Sequence, residues 1–285
     1  MRILLTGSNG QVGWELQKTL APLGALTALG RAELDLRDGA RIGEAVRAVN
    51  PDVIVNAAAY TAVDRAESER DLAFAVNAVA PGVLAEEAKR SGALLVHYST
   101  DYVFDGSKPT PYVEDDAPNP LNVYGASKLA GELAIAASGC RHLILRTGWV
   151  YGPHGSNFFL TMLRVARERP ALKVVDDQVG APTSSRAIAR GTTQVLRPGA
   201  HGTYHLSAAG QVSWCGFARA ILARASIATP VVPVRSEDYA AAARRPRNSR
   251  LDCSRLRADF GVALAPWEEG LAEVMAEHAR LPRGG

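Results

Sequence analysis

Met1-Arg2-Ile3-Leu4-Leu5-Thr6-Gly7-Ser8-Asn9-Gly10-Gln11-Val12-Gly13 opens the chain, and its reading decides the fold. Arg2–Thr6 is a short apolar run of strand type, and Gln11–Leu20 carries apolar residues at helical spacing. From the end of the first into the second run three glycines spaced G-x-x-G-x-x-G. In such a strand–turn–helix the first glycine permits a tight turn and the second lets backbone approach a pyrophosphate. The third allows close packing of helix on strand. The helix start then presents free N–H groups and a partial positive charge to the phosphates. Alone, the motif is an ordinary glycine-rich turn. Between a first strand and a first helix it reads as a dinucleotide cradle made by Gly7, Gly10, Gln11, Val12 and Gly13.

Outward from this segment, strands are expected at Ala25–Leu29, Asp52–Ala57, Ala93–Ser99 and His142–Arg146, with helices at Ala40–Val49, Asp71–Arg90 and Pro120–Ala137. Strand–helix alternation implies parallel βαβ units, and Val53-Ile54-Val55 and Leu94-Leu95-Val96 are the continuous apolar runs of strands buried on both faces. The expected class is α/β: a Rossmann-like doubly wound parallel sheet with a smaller C-terminal α/β lobe. Residues 1–151 form the dinucleotide-binding part, with returning segments from the second half, and residues 152–285 mainly the lobe. In the lobe, helices are expected at Asn157–Arg169, Ser184–Leu196 and Ser213–Ala225, with strands at Leu172–Val175 and Thr203–Leu206. Tyr239–Asp252 is Ala- and Arg-rich and irregular, and residues 281–285 are expected to fray.

Hydrophobic residues make up 47% of the 285-residue chain, enough for a substantial core, yet no apolar run approaches the roughly 20 residues that span a bilayer. The N-terminus lacks the apolar stretch and cleavage site of a signal peptide, so a cytoplasmic location and no membrane partner are expected. Cys140, Cys215 and Cys253 are odd in number and far apart, which excludes a disulfide framework and a CxxC metal site. The net charge is only +3 with basic and acidic residues interleaved, so nucleic-acid binding is not expected.

The second strand ends at Leu29-Gly30-Arg31, where many NAD-specific enzymes carry an acid for the ribose hydroxyls. Arg31 is a cation that can face a 2′-phosphate, or simply a solvated side chain. NADPH is favoured, with NADH left open. Asp35 and Leu36 follow where an acid and an apolar residue can cradle adenine.

Tyr124-Gly125-Ala126-Ser127-Lys128 puts a phenol and an ammonium at i and i+4 on one helix face, with Asn119 as cap and Pro120 in the first turn. A neighbouring ammonium is expected to draw the phenol's pKa down from about 10 toward the working range. Lys128 can also hydrogen-bond the nicotinamide ribose. Thr100, at the carboxyl end of the fourth strand, can bond a substrate carbonyl, whereas Ser99 is turned into the fold by strand alternation.

These elements together resemble the extended short-chain dehydrogenase/reductase superfamily and, within it, the family of dTDP-4-dehydrorhamnose reductases. The resemblance spans nearly the whole chain. It rests on GSNGQVGWEL (Gly7–Leu16), VIVNAAAYTAVDRAE (Val53–Glu67), HYSTDYVFDG (His97–Gly106) and PLNVYGASKLAGE (Pro120–Glu132). RTGWVY (Arg146–Tyr151), NFFLTML (Asn157–Leu163), DQVGAPT (Asp177–Thr183) and RPRNSRL (Arg245–Leu251) complete it. It implies reduction of the C4 ketone of a dTDP-linked 4-keto-6-deoxyhexose by NAD(P)H. Gly10, Gln11 and Val12 would then meet the pyrophosphate, Asp35 and Leu36 the adenosine, and Ala59, Tyr60 and Thr61 the nicotinamide side. Tyr124 would donate the proton beside Lys128, Thr100 and Asp101 would touch the sugar, and Trp149 would pack on its apolar face, unless it is a core tryptophan. Asn157 and the Arg245–Arg250 segment would offer donors to the diphosphate, or be merely solvated.

Some members of that family hold Mg²⁺ between subunits through three glutamates. Glu15 and Glu277 match two of them, but Arg186 stands at the third, so no structural metal is expected and a homodimer is left open. Two rivals remain. A 4-epimerase or 4,6-dehydratase of the same superfamily is one, although a dehydratase would carry Asp-Glu after its Thr where this chain has Asp101-Tyr102. A non-catalytic subunit like the regulatory subunit of methionine adenosyltransferase is the other, disfavoured by the intact Thr100, Tyr124 and Lys128.

Overall fold

The computed structural model describes residues 1–281; residues 282–285, in the stretch expected to fray, lie outside the described residues. Five strands follow the apolar runs: β1 (Arg2–Thr6), β2 (Ala25–Leu29), β3 (Val53–Asn56), β4 (Leu94–Thr100) and β5 (His142–Thr147). Helices α1 (Gln11–Leu20) and α2 (Gly39–Val49) connect the first three. The helix expected at 71–90 is present without a gap but changes its winding in the middle. After the short α3 (Val63–Ala66), α4 (Arg70–Phe74) passes through a π-helical turn (Ala75–Val79) into α5 (Ala80–Ser91).

The next helix, α6 (Val123–Ser138), starts three residues later than expected. Asn122, not Asn119, caps it, accepting from Gly125 N at 2.8 Å, while the Asn119 amide donates to Asp105 at 3.0 Å. Local spacing offers two asparagines; the contact with Asp105 chooses between them.

Beyond β5 come β6 (Val150–Tyr151), α7 (Phe158–Glu168), β7 (Leu172–Val175), β8 (Val179–Gly180), β9 (Thr183–Ser184) and α8 (Ser185–Val195). β10 (Gly202–His205), β11 (Val212–Ser213), α9 (Trp214–Arg224), β12 (Val231–Val234), α10 (Ser254–Phe260) and α11 (Trp267–His278) follow. The strand β12 and the helices α10 and α11 were not anticipated from the sequence.

A six-stranded parallel sheet in the order β10-β5-β4-β3-β1-β2 forms the centre, a Rossmann-like α/β arrangement. Successive strands run outward in both directions from the β3–β1 neighbourhood, so the crevice above their carboxyl ends opens there. One sheet face is covered by α2, α5 and α6, with Leu4, Ile54, Leu95 and Ile144 inward; the other carries Ile3, Leu5, Val55, Val96 and Leu145 against α1 and α8. Ile188, Leu206, Leu256 and Val262 belong to that second core, so segments from the second half return to the sheet. A separate apolar cluster, including Phe159, Phe217, Ile221 and Leu271, holds α7, α9 and α11 together.

Candidate active site

The glycines behave as their spacing predicts. Gly7 has φ +73°, and a Cβ there would come within 2.5 Å of Ala58 N. A Cβ on Gly13 would lie 2.0 Å from Gly7 O, so α1 packs on the turn at a distance only glycine allows. Gly10 N donates to Gly7 O at 3.0 Å, and Gly10 caps α1 with no side chain bonded to the first-turn amides. The N–H groups of Gln11, Val12 and Gly13 therefore face the crevice without a capping oxygen, which suits a bound pyrophosphate.

At the end of β2, Gly30 N donates to Glu33 Oε2 at 2.8 Å, and a Cβ on Gly30 would meet the Asn9 amide at 2.4 Å. Arg31 is exposed. Asp35 is held about 2 by its pairing with Arg37, and Leu36 packs into the core with Leu34 and Ile54, so Asp35 rather than the Leu36 side chain is presented outward. Arg31→Glu is expected to weaken NADPH binding roughly tenfold or more, the size of one lost charge-assisted contact, and to leave NADH binding nearly unchanged. Fluorescence titration of both cofactors checks this, and an equal loss for both would remove Arg31 from phosphate recognition.

Ala59, Tyr60 and Thr61 form the loop after β3. That loop is clamped by Asn77 in the π-helical turn, a residue the sequence reading missed. Asn77 Oδ1 accepts from Tyr60 N at 2.8 Å, and its Nδ2 donates to Tyr60 O at 2.9 Å and Ser127 Oγ at 3.0 Å. The available signal was an asparagine inside the apolar run Ala73–Pro81, since a buried amide requires partners. The Tyr60 hydroxyl donates to Glu69 at 2.6 Å.

Tyr124 and Lys128 sit one turn apart on α6, which packs beside β4. Burial pushes the Tyr124 phenol up to about 12, the Thr100 hydroxyl pulls against that, and the Asp101 carboxylate adds to it. The expected depression by Lys128 is absent because its Nζ is turned into the fold. Lys128 Nζ donates to Tyr98 O at 2.6 Å and lies 3.1 Å from His97 Nε2. Burial brings Lys128 down to about 8, opposed by the Glu132 charge.

Thr100 ends β4, and its Oγ1 donates to Asp101 Oδ1 at 3.0 Å while accepting from Tyr102 N at 3.1 Å. Asp101 is buried, which pushes its carboxyl up to about 7 against the hydroxyls of Ser249 and Thr100. Gly148 lies flat against it: a Cβ there would come within 2.5 Å of the Asp101 carboxyl carbon. Ser99 is buried, as alternation predicts.

Trp149 adopts φ +51°, rare for a bulky residue. It is held by Nε1–H donation to Ser249 Oγ at 2.9 Å and by stacking on Trp214 at 3.5 Å. Trp149 is thus a buried member of a stacked tryptophan pair, and Trp214 was not singled out from sequence. Asn157 Nδ2 donates to Gln11 Oε1 and Gly152 O, each at 2.9 Å, tying the phosphate loop to the start of α7. Arg245 pairs with Asp64 at 2.6 Å, and Arg250 Nε donates to Asn248 at 2.8 Å, so both serve the strap that carries Ser249 to Trp149; Arg247 remains largely exposed.

Away from this cleft, the Arg186 guanidinium reaches Glu277 at 2.5 Å and Glu15 at 3.5 Å, and Lys18 reaches Glu15 at 2.9 Å. Positive charge thus already balances both carboxylates. Among the described residues no cluster of three or more His, Cys, Asp or Glu is arranged to hold a metal ion. No helix among them is long and apolar enough to cross a membrane.

Comparison with known proteins places nearly the whole chain in one family. A dTDP-4-dehydrorhamnose reductase of Burkholderia thailandensis is 50% identical, with 94% of this chain and 95% of that protein covered. The one from Escherichia coli strain K12 is 44% identical, covering 97% and 98%. A crystal structure of dTDP-4-dehydrorhamnose reductase from Bacillus anthracis in complex with NADP superposes with a TM-score of 0.94 at 39% identity, covering 97% of this chain and 99% of that one. The family model described as RmlD substrate binding domain matches residues 1–280, and the chain belongs to that family.

Proposed function

We propose that the protein reduces the C4 ketone of dTDP-4-dehydro-β-L-rhamnose to dTDP-β-L-rhamnose with NADPH, acting in the cytoplasm. The observation that carries this reading is the Tyr124 phenol lying against the Thr100 hydroxyl at the carboxyl end of β4, one helical turn from buried Lys128. Bound NADPH supplies the hydride. Tyr124, protonated at neutral pH, gives its proton to the oxygen of the reduced carbon, a far stronger base than a phenolate. Thr100, turning its hydroxyl from Asp101, donates to that oxygen and orients it toward Tyr124. Lys128, as an ammonium, offsets the phenolate charge left behind. Asp101 faces the sugar hydroxyls, and the Trp149–Trp214 pair forms an apolar wall. Residues 1–151, with the segments that return to the sheet from the second half, hold the dinucleotide, and the lobe built mainly from the described residues after 151 holds the nucleotide sugar.

The test follows NADPH oxidation with enzymatically generated dTDP-4-keto-6-deoxyhexose against its UDP and GDP analogues. Fast turnover of the dTDP compound to the rhamnose product is expected. Tightly retained cofactor with interconversion of 4-epimers, or stable binding to another enzyme with no reductase activity, would replace the reading by one of its rivals.

A further inference from the structure

The sheet register sets three polar residues of neighbouring strands in one row: Thr6 pairs with Asn56, and Asn56 with His97. His97 is fully buried, and no step above uses it. Its Nδ1 faces Asn56 Nδ2 at 3.0 Å and its Nε2 faces Lys128 Nζ at 3.1 Å.

The orientation of the Asn56 amide follows from its other neighbours. Oδ1 receives the Thr6 hydroxyl at 2.7 Å and the Ala58 backbone N–H at 3.3 Å. A backbone N–H can only donate, so the carbonyl end points that way and the NH₂ end points at His97. His97 Nδ1 must then be the bare nitrogen. A neutral imidazole bare at Nδ1 carries its proton on Nε2, aimed at Lys128. An ammonium there would set donor against donor at 3.1 Å, whereas an amine offers a lone pair.

We propose that His97 is a positioning residue for Lys128, held by Asn56 in the tautomer whose Nε2–H keeps the lysine as its amine in the ligand-free protein. The inference rests on the role given to Lys128 above. It means that Lys128 becomes an ammonium only when Nζ leaves His97, as in turning toward a bound cofactor, or when the Asn56 amide reverses. Burial acts in the same direction, holding His97 well below its ordinary range and bringing Lys128 down to about 8; that alone leaves the ammonium in excess at neutral pH, so the Nε2–H contact must supply the rest. The other groups around the pair are few. On α6 these are Tyr124 and Glu132, the latter tied to Arg146 of β5; on β4, the Tyr98 phenol is turned away to Thr192 of α8 at 2.7 Å. Glu132 favours the ammonium, so the His97 tautomer works against it.

Two measurements test this. Long-range ¹H–¹⁵N spectra of histidine-labelled wild-type protein without cofactor should show His97 protonated at Nε2 and bare at Nδ1. The Nδ1–H tautomer or an imidazolium would overturn the proposal whatever the variants do. In the second, His97→Gln, whose amide can turn its oxygen to Nζ, should move the alkaline limb of kcat/KM upward by about one pH unit, the size of one hydrogen bond gained. KM for NADPH should change far less. A uniform fall in rate with an unmoved limb would also overturn it, leaving His97 as packing only. Lys128→Met keeps the two levels apart: full turnover by that variant would sink the role of Lys128 while the His97 tautomer stands as measured.

Discussion

Tyr124→Phe is expected to lower kcat by about a hundred- to ten-thousand-fold, the span for loss of a positioned proton donor, and to leave NADPH affinity within a factor of about two. The substitution removes one oxygen and keeps the ring, so its edge contact with Tyr102 at 5.9 Å survives and the fold is undisturbed. What disappears is the proton facing Thr100. Because burial holds this phenol up to about 12, wild-type Tyr124 stays protonated through neutral pH, and its loss should cost the same factor from pH 6 to pH 8. Stopped-flow measurement of single-turnover NADPH oxidation checks the first claim, and equilibrium titration of cofactor the second. Turnover at the wild-type rate would take Tyr124 out of the reaction.

The second large effect is on stability. Glu132→Ala should destabilise the protein by about 3–5 kcal/mol, because it leaves the Arg146 charge buried without its partner. The pair is bidentate, with Arg146 Nε 2.9 Å from Glu132 Oε1 and Nη2 2.6 Å from Oε2. Both side chains are at most 6% exposed. The guanidinium also lies over the Phe104 ring at 5.2 Å, so water cannot readily replace the carboxylate. For a chain of 285 residues, that loss lowers Tm by roughly 5–8 °C. Replacing both partners, as Glu132→Leu with Arg146→Met, should recover most of it, since no lone charge remains. Urea unfolding of the three variants decides the matter. A single-variant cost below about 1 kcal/mol would mean the charge has found solvent or another partner.

Much of this architecture was legible because its signals are local. Parallel strands covered on both faces must be continuous apolar runs, so Val53-Ile54-Val55 and Leu94-Leu95-Val96 announced themselves. The glycines of the phosphate turn sit within seven residues of one another, and the Tyr124–Lys128 pair is one helical turn long. The helix at 71–90 was read as uniformly α-helical because a π-helical turn leaves the apolar pattern nearly intact; what reveals the turn is Asn77 reaching Tyr60 and Ser127. Trp214 stayed invisible because it lies 65 positions from Trp149 and meets it only through the packing of α9 on the lobe.

By itself, the sequence determined the class of fold, the glycine turn after the first strand and the Tyr124–Lys128 pair to which the reaction is assigned, since each is written in neighbours along the chain. Only the tertiary structure decided which way Lys128 faces, which asparagine caps its helix and that Thr6, Asn56 and His97 share one row behind it. Those relations depend on strand register and on burial, which arise when segments far apart in sequence close on one another and exclude water.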